Sequence, residues 1–259
     1  MVLELALSTD LILILAAVAF LAGFVDAIAG GGGLLTIPAL LAAGLPPHLA
    51  LGTNKLAATF GSATASFTFY RKKLFQPGAW VRSFWATLIG AALGTLAVNV
   101  VEVAWLEKFL PLLIIAIAFH SLFSRAPKED QHQLPARTPS LFRRQWGQGL
   151  TIGFYDGFAG PGTGAFWTAS SMVLYRMNIL LSSGLARSMN FVSNATSLGF
   201  FIALGHVHFG IGIAMGLSLM AGAWLGAHSA IRFGGRFIRP VFITMVVLIA
   251  AKLAWQAWL

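Results

Sequence analysis

Gly23-Phe24-Val25-Asp26-Ala27-Ile28-Ala29-Gly30-Gly31-Gly32 returns 130 residues later as Gly153-Phe154-Tyr155-Asp156-Gly157-Phe158-Ala159-Gly160-Pro161-Gly162. The shared pattern, G-F-x-D-x-x-A-G-x-G, keeps six positions at identical spacing. Each copy sets one carboxylate about a helical turn ahead of a cluster of helix-breaking residues, inside an otherwise apolar run. The chain therefore reads as a duplication built around two broken helices.

The 259 residues are 58% hydrophobic and 10% charged, with mean hydropathy +0.80. Soluble domains carry roughly 25% charged residues, so a soluble enzyme is excluded. Apolar runs such as 11–29 and 84–101 approach the ~20 residues that cross a bilayer. The formal charge of +9 does not point to nucleic acid, because the basic residues sit in short connectors between apolar runs, as the positive-inside bias requires. Glu4 and Asp10 precede the first run where a signal peptide would be basic, and no cleaved leader is expected. Cysteine is absent, which excludes disulfides and thiolate metal sites.

Each half divides into five segments. They lie near 9–30, 33–44, 49–70, 80–101 and 104–124, and again near 147–160, 163–176, 182–205, 208–230 and 236–258. The second segment of the first half and the first of the second half are too short to span alone. The expected fold is an all-α polytopic membrane protein with about 8–10 membrane segments, some broken or re-entrant. Residues 1–124 form one repeat, 146–259 the other, and the polar, proline-bearing stretch 125–145 links them. Three connectors are rich in Lys and Arg: Arg71-Lys72-Lys73 with Arg82, the linker, and Arg232, Arg236 and Arg239. Placing all three in the cytoplasm puts both termini outside and makes the halves an inverted repeat, the plan of many secondary transporters in a cell (inner or plasma) membrane.

Of eight acidic residues, only Asp26 and Asp156 fall inside apolar segments. Of seventeen basic residues, only Lys55 and Arg187 lie near a segment core, at corresponding places in the two halves. Each would cost about 2.5–3.5 kcal/mol against lipid, so all four should face protein or water. The breaks at Gly30–Gly33 and Gly160–Gly164 open new helices whose N-termini attract anions. Gly32, Gly33, Gly162 and Thr163, with Lys55 and Arg187, thus make a candidate site for a small anion. Asn54, Asn190 and Asn194 lie on a polar stripe with Thr53, Thr59, Ser62, Ser188 and Ser193; Asn190 and Asn194 share a face and are expected to line the pathway. Thr59 and Ser62, among small neighbours, serve helix packing or the pathway equally well. Asp26 and Asp156 cap a helix or pair with the two cations, exchange protons, or do both.

Other features read as structural. His48, His206 and His208 sit at predicted loops, and no His–Glu spacing suggests a metal. Gly90-x-x-x-Gly94 and Gly222-x-x-x-Gly226 are helix-packing faces, with a homodimer contact as a second use. Trp80, Trp105, Trp146, Trp255 and Trp258 lie near segment ends as interfacial anchors. No cofactor or nucleotide-binding motif is present, so direct ATP drive is not expected; membrane lipid and a small anion are the expected partners.

The stretch Asp26-Ala27-Ile28-Ala29-Gly30-Gly31-Gly32-Gly33-Leu34-Leu35-Thr36-Ile37-Pro38, followed by Gly52-Thr53-Asn54-Lys55-Leu56, resembles the TauE/SafE family of membrane transporters, most closely its YfcA-like branch. Gly153–Phe158 and the stretch from Ala186-Arg187-Ser188 to Asn194 fit the same branch. The resemblance implies movement of small sulfur-containing anions: sulfite, sulfoacetate, other organosulfonates or thiosulfate. The family's second half usually has Lys where Arg187 stands, and often Thr at Ala186. Arg keeps the charge and adds bidentate geometry for an oxyanion. Two other readings stay open. Asp26 and Asp156 could form an intramembrane aspartyl protease dyad, for which Tyr155-Asp156 has a precedent but the G-x-G-D partner is missing. An anion channel or an accessory subunit is the other.

Overall fold

The computed structural model describes residues 9–100, 134, 135, 138–234, 237 and 240. The last segment of each half, most of the linker, both termini, and Trp105, Trp255, Trp258, Arg236 and Arg239 lie outside the described residues, except for Phe237 and Pro240. Within them the chain is all-α: α1 Thr9–Ala29, α2 Gly33–Ala42, α3 Pro47–Arg71, a 3-10 turn Pro77–Ala79, α4 Val81–Asn99, α5 Pro139–Phe158, α6 Thr163–Tyr175, α7 Ile179–Ala203 and α8 Phe209–Phe233. The helices α1, α4 and α8 are long and apolar enough to cross a membrane. The equally long α3 and α7 carry the polar stripes and pack against each other at the centre.

Seven of the eight described helices follow the sequence reading closely. The other does not: α5 begins at Pro139 rather than near 147. Proline is tolerated at the first helical position because its missing N–H would be unpaired there anyway. Thr138 caps the helix, its hydroxyl accepting from the Leu141 N–H at 3.2 Å. The last seven residues of the expected linker are thus helical, and the first segment of the second half is 20 residues long, enough at ~1.5 Å per residue to reach across a bilayer core.

The first helix of each half packs on the last described helix of the other half, α1 on α8 and α4 on α5. Glycines make this possible. A Cβ at Gly90 or Gly94 would collide with backbone of Leu150 and Phe154 on α5, and one at Gly222 or Gly226 with backbone of Phe20 and Phe24 on α1. Backbones approaching this closely gain van der Waals contact that lipid does not replace. Both G-x-x-x-G faces are therefore filled by the chain's own helices. The repeated motif supplies the reciprocal contacts: Gly153 meets Thr87 on α4, and Gly23 meets Leu219 on α8.

Contacts between α3 and α7 run in reverse order, Gly52 with Phe201, Lys55 with Asn194, Ser66 with Ser188 and Phe69 with Gly184. These equivalent helices are therefore antiparallel. One end of the molecule gathers the C-terminus of α3 and the N-termini of α4 and α5. There the Arg82 guanidinium lies 3.3 Å from the Phe142 ring centre, Arg144 donates to the Leu174 carbonyl and Gln145 to that of Ala79. The opposite end brings together His48, Asn99 and His206. Trp80 is no interfacial anchor: it is 2% exposed and packs against the tilted Tyr175 ring in the core. Trp146 is exposed and lies about two turns inside α5 rather than at its end.

Gly94→Leu or Gly222→Leu should destabilise the detergent-purified protein by ~1–3 kcal/mol or more, read as a lower melting temperature. Gly78→Ala, with no atom near its added Cβ, should melt as the parent does.

Candidate functional site

The two helix breaks touch. Gly30 and Gly160 hold φ of +84° and +88°, a left-handed turn that favours glycine. A Cβ on Gly164 would stand 2.8 Å from the Gly30 Cα, and Ala165 N donates to the Gly30 carbonyl at 3.1 Å. Irregular backbone at such depth is tolerated where protein surrounds it. Here each break supplies part of the other's surroundings.

Each cation reaches across to the aspartate of the other half. Lys55 Nζ lies 2.7 Å from Asp156 Oδ1, donates also to the Asp156 carbonyl at 2.5 Å, and reaches Asn194 Oδ1 at 3.1 Å. Arg187 Nη1 donates to the Asp26 carbonyl and stands 3.5 Å from Asp26 Oδ2. Both cations are fully enclosed, Lys55 at 1% exposure and Arg187 at 0%. Each therefore meets a carboxylate together with a main-chain carbonyl near the C-terminal end of a broken helix, where positive charge is favoured. Ser193 donates to the other oxygen of Asp156. Asp26 Oδ1 accepts from Gly32 N at 3.0 Å, so the carboxylate itself occupies the N-terminus of α2.

A central cavity of about 30 Å³ lies between these groups. It is lined by Asp26, Gly32, Gly33, Asn54, Lys55, Asp156, Gly162, Thr163, Asn190 and Asn194, and also by Thr36, which the sequence did not single out. Thr36 donates to Asn54 Oδ1 at 2.5 Å. At ~10–15 Å³ needed per water, the cavity has room for two or so. Arg187 does not line it. Its guanidinium is wedged at the crossing, against the space where a Cβ of Gly30 or Gly164 would sit. Arg187 Nε and Nη2 and the buried Asn190 Oδ1 find no hydrogen-bond partner among the described residues. Thr59 and Ser62 turn back onto the carbonyls of Lys55 and Ala58 and serve α3 itself. Thr53 accepts from His208 N, joining α3 to the α7–α8 connector. Among the described residues, no cluster of three or more His, Asp or Glu side chains could hold a metal.

The residues 15–253 match the family described as Sulfite exporter TauE/SafE. The chain belongs to this family. It is 41% identical over 258 residues to a "Probable membrane transporter protein" of Haemophilus influenzae, covering 96% of this chain and 97% of that one. It is 37% identical to "Probable membrane transporter protein ORF9" of a Sinorhizobium species (95% and 94% covered) and 36% identical to "Probable membrane transporter protein YfcA" of Escherichia coli K12 (93% and 88%). No solved structure matches it. The chain is thus a transmembrane protein of a transporter family.

Removing one partner of a buried ion pair leaves an uncompensated charge and costs about 3–5 kcal/mol, whereas removing both costs less. Asp156→Asn and Lys55→Met should each lower the melting temperature sharply, and the double variant should recover part of the loss. Additive losses would mean that the pair does not form.

At the far end of α3, the His48 and His206 rings stack at 5.3 Å, and His206 Nδ1 lies 2.7 Å from Asn99 Oδ1. Burial, and then the neighbouring His48, holds the His206 imidazole below its ordinary range. A depressed imidazole binds its proton more weakly folded than unfolded, so its contribution is complete above about pH 6.5 and is lost as the pH falls below that. The melting temperature should drop between pH 7.5 and 5, and less so in His206→Gln.

Proposed function

We propose that the protein is a secondary transporter of a small sulfur-containing oxyanion, such as sulfite or a short organosulfonate, coupled to protons. The observation that carries this reading is the crossed pairing of Lys55 with Asp156 and of Arg187 with Asp26 around a cavity between two broken helices. An anion entering the cavity competes with Asp156 for Lys55. If it wins, Asp156 is left buried without its cation, an arrangement costing several kcal/mol. A proton on Asp156 removes that cost, so anion and proton favour each other's binding. Asn54, Asn190 and Asn194 offer amide groups to the oxyanion, and the N-termini of α2 and α6 at Gly33 and Thr163 add their dipoles. Arg187 brings its remaining donors to the anion when the two breaks part.

The antiparallel course of α3 and α7 supports an inverted repeat, with the halves rocking about the crossing to expose the site to each face in turn. The basic end, with Arg71, Lys72, Lys73, Arg82, Arg143 and Arg144, is taken as cytoplasmic. Both termini then lie outside. A resident cation on each carboxylate speaks against an aspartyl protease dyad, whose two acids share a proton and need no lysine or arginine.

Proteoliposomes should take up sulfite saturably with an accompanying change of internal pH. Lys55→Ala should abolish uptake, and Asp156→Asn should break its dependence on the proton gradient. Unsaturable sulfite flux with no pH change would replace this reading by a channel, and the absence of flux for every sulfur oxyanion tested would remove the substrate class.

A further inference from the structure

A second cavity, of about 610 Å³, opens on the flank between α3 and α8. It is lined by Ala63, Thr64, Phe67, Thr68, Arg71 and Lys72 on α3 and its end, and by Trp224 and His228 on α8. The α3 residues fall into stripes at helical spacing, Thr64-Thr68-Lys72 and Phe67-Arg71, and Trp224 and His228 stand about one turn apart on the facing wall. Along α3 the chemistry changes from small or aromatic to cationic on approaching the basic end. Phe67 and Trp224 are 60% and 52% exposed, so the aromatic walls are open to whatever surrounds the helices. Arg71 lies 5.9 Å from the Phe67 ring centre, and the Trp224 and His228 rings are 4.6 Å apart. Among the described residues, no carboxylate lines the groove.

We propose that this groove is a binding site for an anionic phospholipid. An acyl chain would lie along Ala63, Phe67 and Trp224, and the headgroup phosphate would meet Arg71 and Lys72. The charge pattern selects the class: a zwitterionic lipid brings its own cation to a mouth that already holds two, whereas an anionic one neutralises them. Juxtamembrane Lys and Arg attract such headgroups electrostatically. The bound lipid would bridge α8 to α3, the helix that carries Lys55, and so brace one wall of the central site. This assignment is independent of which solute the protein carries.

The test uses the full chain in neutral detergent, with phosphatidylglycerol and phosphatidylcholine of identical acyl chains, and soluble glycerol phosphate. Phosphatidylglycerol should raise the melting temperature by several degrees more than phosphatidylcholine, and Arg71→Gln/Lys72→Gln should lose that preference. Phosphatidylglycerol with brominated chains should quench tryptophan fluorescence more than the phosphatidylcholine analogue, with the difference lost in Trp224→Phe; this reading stands even if the double variant folds poorly. Equal effects of the two lipids, a preference surviving the double substitution, a glycerol phosphate shift as large as that of the lipid, or self-association in place of lipid uptake would each overturn the assignment.

Discussion

Two buried cations, each held by the aspartate of the opposite half, are what the rest of the architecture depends on. A lysine and an arginine at 1% and 0% exposure are intolerable in a membrane interior unless neutralised. Neither half neutralises its own. Lys55 finds Asp156 and Arg187 finds Asp26, so the charges are satisfied only when the halves are docked. The glycine contacts of α1 with α8 and of α4 with α5 perform the same task in apolar terms, allowing the backbones to come close enough for the long side chains to reach.

The two pairs are alike in plan and different in detail. Lys55 faces the cavity with acceptors around its ammonium. Arg187 lies at the crossing of the two breaks, pressed between Gly30 and Gly164. A flexible ammonium can be drawn from one anion to another, while a planar guanidinium in so narrow a gap moves only when the gap does. In the proposed mechanism, that contrast lets Lys55 meet the solute first and Arg187 only when the two breaks part.

Much of this was legible in the residues. The repeated G-F-x-D-x-x-A-G-x-G motif located both breaks, and the scarcity of charge inside apolar runs isolated four ionisable residues that do meet. The boundary of α5 was not legible, because Pro139 stands in a polar, proline-bearing stretch that looks like a linker, while its position at the first helical turn makes it harmless. Trp80 misled in a similar way: a tryptophan beside a connector is usually an anchor at the interface, but this one turns inward onto Tyr175. Thr36 lies in the stretch that carries the family resemblance, but its residue type did not mark it as part of the cavity wall. A single threonine among apolar residues is unremarkable until Asn54 is placed beside it.

The sequence by itself determined the membrane setting, the helical elements and the identity of the charged pairs' members, since hydropathy, helix-breaking residues and the expense of buried charge all act locally along the chain. Only the tertiary structure decided that the pairs cross between halves, that the glycine faces are consumed within the chain, and that Lys55 rather than Arg187 lines the cavity. Those outcomes depend on distances between segments far apart in the chain, and such distances are set by how backbones fit against one another rather than by any property of the segments taken singly.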